Sequence, residues 1–400
     1  MNTQDYIRLE NQYGPQIYKP IDVVITRGDG VYVYDVEGRK YLDCLSGYSA
    51  LNHGHVHPRL VKVMTEQAAQ LTLTSRAFRN DKFAEFMQRL SEVTGYEKSL
   101  PMNSGAEAVE TALKLARKWA YTVKGVPLNQ AEIIAAEGNF HGRTITVISA
   151  SSEPLYKDLF GPHTPGFVIA PYADADAIAD AITPNTAAVL LEPLQGEGGV
   201  IVPPDGYLRR VHETCKANNV LFMADEIQTG LGRTGKLFAC QHEEVRPEVT
   251  IIGKALSGGF YPVSAVLADA QYMDVLQYAE HGSTFGGNPL ACAIATEALN
   301  IILDEGLIEN AAALGEYYQE RLAEIPSPHV KEVRGKGLLI GVELKPSAGG
   351  ARRFGEALKE RGILVKDAHE TVLRFAPPLI IDRATLDATI GPITEVLNLP

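Results

Sequence analysis

The chain has little cysteine, and what it has is poorly placed for cross-linking. Cys44, Cys215, Cys240 and Cys292 are far apart and form no Cys-x-x-Cys pair. That spacing argues against a disulfide framework or a thiolate zinc site and fits the reduced thiols of a cytosolic protein. Long apolar runs are missing too. The longest charge-free stretch, Gly282 to Thr296, contains Gly287, Asn288 and Pro289, whereas a membrane span needs about 20 apolar residues. Basic charge is in deficit: 37 Lys and Arg against 49 Asp and Glu leave a formal charge of −12. A general nucleic-acid binder, or a binder of anionic membrane, needs the opposite surface. The first residues, MNTQDYIRLENQYG, carry Asp5 and Glu10 without an apolar core, unlike a secretory signal or an acid-poor transit peptide. Repeats and low-complexity tracts are absent. The expectation is a soluble cytoplasmic protein with no nucleic-acid or membrane partner.

What is present is a globular composition, 45% hydrophobic and 22% charged, in a length that suits two or three domains. The middle of the chain holds apolar runs of strand length: Glu132–Ala136, Thr146–Ala150, Phe167–Ala170, Ala187–Leu191, Val220–Ala224, Val249–Ile252 and Val263–Ala268. Several are apolar at every position, the pattern of strands buried on both faces of a largely parallel sheet. Amphipathic stretches Ala106–Ala120, Ala175–Ile182 and Tyr207–Asn218 alternate with them, so an α/β layer fold is expected. The last hundred residues read as a smaller α+β unit. Helical runs Pro289–Glu305 and Glu309–Ala323 precede strands Leu338–Leu344, Ile363–Lys366 and Val372–Phe375, and Arg383–Leu397 closes as a helix. The first fifty residues carry strands Val31–Asp35 and Lys40–Cys44 but are too few for a core. The expected division is therefore an N-terminal segment, 1–50, packing with the small domain, a large domain over 51–290, and a small domain over 291–400.

Two motifs mislead. Gly230-Leu-Gly-Arg-Thr-Gly235 matches a dinucleotide fingerprint, and Gly230 to Lys236 matches the start of a P-loop. Leu237 stands where a P-loop needs a Ser or Thr hydroxyl, and the glycines do not follow a strand directly. A nucleotide-binding oxidoreductase or ATPase is the rival from another class. His53-Gly-His55-Val-His57 could place three imidazoles on one face, yet Gly54 and Pro58 favour a loop and no carboxylate or thiolate nearby in sequence completes a ligand set. No metal is expected.

The chemistry gathers where three apolar runs end. Val220–Ala224 runs into Asp225, Val249–Gly253 ends on Lys254, and Ala187–Leu191 ends on Glu192. Parallel sheets bind ligands beyond the carboxyl ends of their strands. A carboxylate and a lysine at such ends could form a structural ion pair. They also suit pyridoxal phosphate (PLP), which needs a lysine, an acidic partner for its ring nitrogen and an anion cradle. Asn103-Ser104-Gly105-Ala106, at the start of the Ala106–Ala120 helix, offers that cradle through free N–H groups and the helix dipole. Ser104 with Glu107 also reads as a capping box, and the two roles are compatible.

The run Leu221 to Gly235, the loop Gly253-Lys254-Ala-Leu-Ser-Gly-Gly259 and the segment Gly282-Ser-Thr284-Phe-Gly-Gly287 resemble the class III PLP-dependent aminotransferases in order and spacing, over nearly the whole chain. The resemblance implies the fold-type I PLP-dependent transferase fold, a homodimer with active sites at the subunit interface. It implies Lys254 as the Schiff-base lysine, Asp225 on the pyridine nitrogen, Gln228 on the ring hydroxyl and Phe140 stacked on the ring. Ser104, Gly105 and Ala106 would hold the phosphate, with Thr284 arriving from the other subunit. Arg143 and Arg374 stand at the family's positions for the two carboxylates of 2-oxoglutarate, and Glu197 at that of the residue that neutralises Arg374 while a donor is bound. Tyr18 and Tyr48 match tyrosines of the branch that acts on ornithine, which implies transfer of the ornithine δ-amino group to 2-oxoglutarate. An enzyme for acetylornithine, 4-aminobutyrate or another ω-amine is the alternative within the family. His141, where some ornithine enzymes carry tryptophan, is expected to alter pocket packing rather than chemistry.

Overall fold

The computed structural model describes residues 1–400. Its strands are β1 (Ile25–Asp29), β2 (Tyr32–Asp35), β3 (Lys40–Asp43), β4 (Lys98–Met102), β5 (Glu132–Ala136), β6 (Phe167–Ala170), β7 (Thr186–Leu191), β8 (Leu221–Asp225), β9 (Val249–Ile252) and β10 (Ser264–Ala268), followed by β11 (Val330–Lys336), β12 (Leu339–Leu344), β13 (Ile363–Leu364), β14 (Lys366–Ala368) and β15 (Val372–Phe375). The central sheet has seven strands in the order β4-β10-β9-β8-β7-β5-β6. β6, β5, β7, β8 and β9 are mutually parallel, and β10 runs antiparallel to both neighbours. This is the mostly parallel α/β sheet expected from the sequence. β7, β8, β9 and β10 are buried at every residue, which is why their sequences are largely apolar rather than alternating.

Helices cover the sheet. Gly105–Trp119 buries Val109, Ala112, Leu113 and Ala116 against it, and Tyr207–Ala217 buries Leu208, Val211 and Cys215 in the core of the opposite side. Pro289–Asp304 is apolar around most of its circumference and joins the largest core cluster, together with β12, β15 and the closing helix Arg383–Leu397. β11, β12, β15 and β14 form a second sheet, and β1, β2, β3 and β13 a third. In that third sheet Ile363 pairs in parallel with Leu42, so the first fifty residues share a sheet with the end of the chain.

Thr146–Ala150 is not a strand. Residues Ile145–Ser149 form a short helix, because the Thr144 hydroxyl caps the Val147 N–H at 3.3 Å. The cap starts the turn, and Val147, Ile148 and Ser149 are buried while Ile145 faces outward, a one-sided burial that a helical turn accommodates despite the β-branched run. No helix is long and apolar enough to cross a membrane.

Candidate active site

β7, β8 and β9 end side by side, with Asp225 opposite Ile251 in the register. Glu192 follows β7, Asp225 is the last residue of β8, and Lys254 lies two residues past β9. Beyond these ends opens a cavity of about 220 Å³ that brings together Gly105, Ala106, Phe140, Glu197, Asp225, Gln228 and Lys254. Seven residues nominated from sequence thus face one space. Glu192 and His141 line it as well.

The helix Gly105–Trp119 begins at this cavity. The Glu107 N–H donates to Ser104 Oγ at 3.2 Å, while the Ser104 N–H donates to the Glu107 carboxylate at 2.7 Å. The Ala108 N–H goes to the Ser104 carbonyl. Gly105 and Ala106 come before the first residue able to bond back along the helix, so their N–H groups have no intrahelical acceptor and stand ready for an anion. Cap and cradle coexist on one turn. A Cβ on Gly105 would come within 3.1 Å of Ile227 Cδ1, a tight contact that would oblige Ile227 to shift.

Burial depresses the Lys254 amine below the usual lysine range, and Arg374 pushes the same way, while Glu197, Asp225 and Glu192 partly oppose them. Asp225 is fixed from two sides: Oδ1 accepts from the Ile227 N–H at 3.1 Å, and Oδ2 accepts from His141 Nδ1 at 2.7 Å. Burial alone would lower the His141 pKa, but the bond to Asp225 and the charges of Asp225 and Glu192 raise it overall. His141 Nε2 is buried without a partner. The ring therefore does more than fill space: its Nδ1 is bonded to the Asp225 carboxylate, a contact that the packing role expected from sequence did not include. Glu192, marked in the sequence only as a strand end, accepts the Phe140 N–H at 3.0 Å and is pushed up to about 7 by burial. Its position after an apolar strand was the available signal.

Arg374, on β15, is among the most buried side chains of the molecule. Its Nη1 donates to Glu197 Oε1 at 2.6 Å and to the Gly196 carbonyl at 3.2 Å, while Nε and Nη2 are buried and unpartnered. Burial raises the Glu197 carboxyl, but Arg374 and Lys254 outweigh it and keep the group ionised. Gln228 Nε2 donates to the Tyr48 carbonyl at 3.2 Å and its Oε1 is buried and unpartnered. The Tyr48 ring centroid lies 5.5 Å from the Arg374 guanidinium. Tyr48 sits in a turn with positive φ at four successive residues: Ser46 (51°), Gly47 (57°), Tyr48 (60°) and Ser49 (71°). Left-handed backbone costs roughly 1–2 kcal/mol at each residue that bears a Cβ.

Arg143 is exposed at the rim, its guanidinium 3.6 Å from the Tyr156 ring centroid and 5.3 Å from that of Phe140. Thr284 and Tyr18 do not join the cavity. Thr284 is exposed on the Gly282–Gly287 segment, and Tyr18, 75% exposed, lies in a separate groove of the N-terminal segment beside Arg352.

The two misleading motifs have other places. Gly235 backs onto Ala312, where a Cβ would meet backbone at 2.8 Å, and residues 231–235 are buried, so the loop has no room for a nucleotide phosphate. The three histidines diverge: His53 bonds the Ala298 carbonyl, His55 bonds Asp43 and His57 bonds Glu305.

The family model for class-III aminotransferases matches residues 13–397. The chain is 55% identical over 397 residues to the ornithine aminotransferase of Brevibacillus brevis, covering 99% of each. It superposes on the crystal structure of ornithine aminotransferase from Toxoplasma gondii, in which PLP partially occupies the active site, with a TM-score of 0.98 and 46% identity, covering 99% of this chain and 94% of that one. It is also similar to acetylornithine aminotransferase from Elizabethkingia anophelis, with a TM-score of 0.90 and 46% identity over 99% of each chain.

Proposed function

The chain belongs to the class-III aminotransferases, and from that premise we propose that it transfers the δ-amino group of L-ornithine to 2-oxoglutarate, giving glutamate 5-semialdehyde and glutamate. The cavity's donor set fits PLP: an amine of lowered pKa at Lys254, a carboxylate at Asp225, an aromatic ring at Phe140, open N–H groups at Gly105 and Ala106, and a buried, unpartnered oxygen on Gln228. Bound there, PLP supplies an aldehyde carbon for amines and a protonated ring that draws electrons away from the carbon losing its proton.

The roles of the protein's own groups follow. Lys254 would hold the cofactor through Nζ, and its lowered pKa would leave that Nζ able to accept the proton from the donor's δ-carbon. Asp225, steadied by His141, would keep a proton on the ring nitrogen. Phe140 would stack on the ring, Gln228 would meet the ring hydroxyl, and Ser104, Gly105 and Ala106 would hold the phosphate together with Thr284 of the partner subunit. Arg374 and Arg143 take the two carboxylates of 2-oxoglutarate, for which a guanidinium fork is the best match. With ornithine, Arg143 takes the α-carboxylate, Tyr18 and Tyr48 bind the α-amino end, and Glu197 neutralises Arg374.

The Glu197–Arg374 pair carries this reading. One nitrogen of the guanidinium is occupied by a carboxylate that can leave, while two others are buried and unpaired. That is an anion site with a built-in removable counter-charge. The reading includes a cytoplasmic homodimer: a lone chain leaves Thr284 outside the cavity, beside Phe285 at 45% exposure. It also includes the division into 1–50, 51–290 and 291–400, supported by the β3–β13 pairing. The test is optical. Purified protein should carry a yellow chromophore that ornithine bleaches and that Lys254→Ala lacks; a colourless protein that binds ATP or NAD refutes the reading.

A further inference from the structure

We propose that Asp43 and His55 are positioning residues that lock the left-handed turn Ser46–Ser49, so that Tyr48 and Arg374 meet the amine donor as one unit and discriminate ornithine from its N-acylated analogues. The inference rests on the donor reading above and adds residues to which nothing in the chemistry of the cofactor points.

The turn is unfavourable where it stands. Ser46, Tyr48 and Ser49 all have positive φ although each bears a Cβ, and only Gly47 adopts that backbone freely. Such a conformation persists only where its surroundings over-determine it, and it concentrates at functional sites. The surroundings here are specific. Asp43 Oδ1 accepts both the Leu45 and Ser46 N–H groups at 2.9 Å, at the entry to the turn. Asp43 Oδ2 accepts from His55 Nε2 at 2.8 Å, with both side chains largely buried. His55 cannot move aside. Its backbone exchanges hydrogen bonds with Gly30, and its ring lies where a Cβ on Gly28 would come within 2.7 Å.

The same segment is tied to the strand that carries Arg374. Ser46 Oγ donates to the Ala376 carbonyl at 2.6 Å, and the Ala376 N–H donates to the Cys44 carbonyl at 2.7 Å. Arg374 lies two residues before Ala376, and its guanidinium is over the Tyr48 ring at 5.5 Å from the centroid. The Tyr48 carbonyl in turn receives Gln228 Nε2. The frame therefore fixes the Tyr48 ring relative to Arg374 from both ends. An unstrained turn would let the ring swing and would leave room for an acyl group on the donor nitrogen.

Three variants test this on the PLP-loaded dimer, with ornithine and N-acetylornithine as alternative donors. His55→Leu should raise the ornithine KM at least about fivefold with kcat within about twofold, and cut the preference for ornithine about tenfold. PLP content, read from the visible absorbance, should stay at the wild-type level. His55→Gln restores a donor to Asp43 and should recover most of the preference. Ser49→Gly separates function from folding: glycine suits the positive φ, and the lost Oγ is buried without a partner. Its thermal midpoint should equal or exceed that of the wild type while its donor preference falls. Should His55→Leu fail to fold, Ser49→Gly alone decides. Unchanged preference in Ser49→Gly, or equal losses for both donors in His55→Leu, overturns the positioning claim. A wild type that does not use ornithine overturns the functional reading itself, before any variant is made.

Discussion

Glu197 Oε1 lies 2.6 Å from Arg374 Nη1, and under the proposed function that pair sets which substrate the cavity accepts. An arginine left unpaired in a buried site would repel the amino groups of a diamino donor and attract its carboxylate to the wrong end. Glu197→Ala should therefore slow the ornithine half-reaction by about tenfold or more while the 2-oxoglutarate half-reaction changes little. Arg374→Ala should do the reverse, with a loss of about 10–100-fold, because a desolvated substrate carboxylate would lose its partner. Single-turnover kinetics of each half read both outcomes. Equal losses in both halves would count against the switch.

Gly196 has a steric duty beside that pair. A Cβ there would fall 1.6 Å from Gln228 Oε1, and the Gly196 carbonyl also receives Arg374 Nη1. Gly196→Ala should displace Gln228 and reduce PLP retention on dialysis at least about tenfold, in line with overpacking costs of about 1–3 kcal/mol. Wild-type retention in this variant would mean that Gln228 is not held where the structure places it.

His141 gives a second prediction about the cofactor. His141→Phe preserves a buried ring but removes the 2.7 Å bond to Asp225. A hydrogen bond to a charged group is worth about 1.5–3 kcal/mol, so PLP should dissociate at least about tenfold faster. The pH titration of the visible band should also shift, which loss of packing alone would not produce.

Glu192 makes stability depend on pH in a definite direction. Its carboxyl lies near 7 in the folded chain against an ordinary 4.5, so the folded state holds the proton more tightly than the unfolded state does. That contribution is present in full below pH 4.5 and is lost as pH rises through about 7. Glu192→Gln cannot ionise, keeps an acceptor for the Phe140 N–H and should gain stability over wild type as pH rises, by at most about 3 kcal/mol. Urea unfolding of the PLP-loaded protein at several pH values measures the difference; a pH-independent difference contradicts it.

Much of the central sheet was legible because most of its strands are largely apolar rather than alternating, and Val249–Ile252 and Phe167–Ala170 coincide with the runs read from sequence. The catalytic ends were legible for the same reason, since a charge directly after such a run stands out. Other features left no local signal. The helix Thr3–Tyr13 buries none of its residues, so no core-facing stripe marks it. Ser-Gly-Tyr-Ser contains one glycine, which does not announce four left-handed residues; the bonds from Asp43, just before the turn, and from His55 to Asp43 hold it, and neither is marked in the sequence. Tyr18 and Thr284 are named by family motifs, yet they lie outside the cavity of a single chain.

The central claim is the donor, and steady-state comparison of ornithine with N-acetylornithine, with 2-oxoglutarate as acceptor, tests it most directly. The expected result is a kcat/KM for ornithine at least about tenfold higher, because on the proposed reading Tyr48, held 5.5 Å from the Arg374 guanidinium, would leave an N-acetyl group no room. A clear preference for the acetylated donor would contradict it.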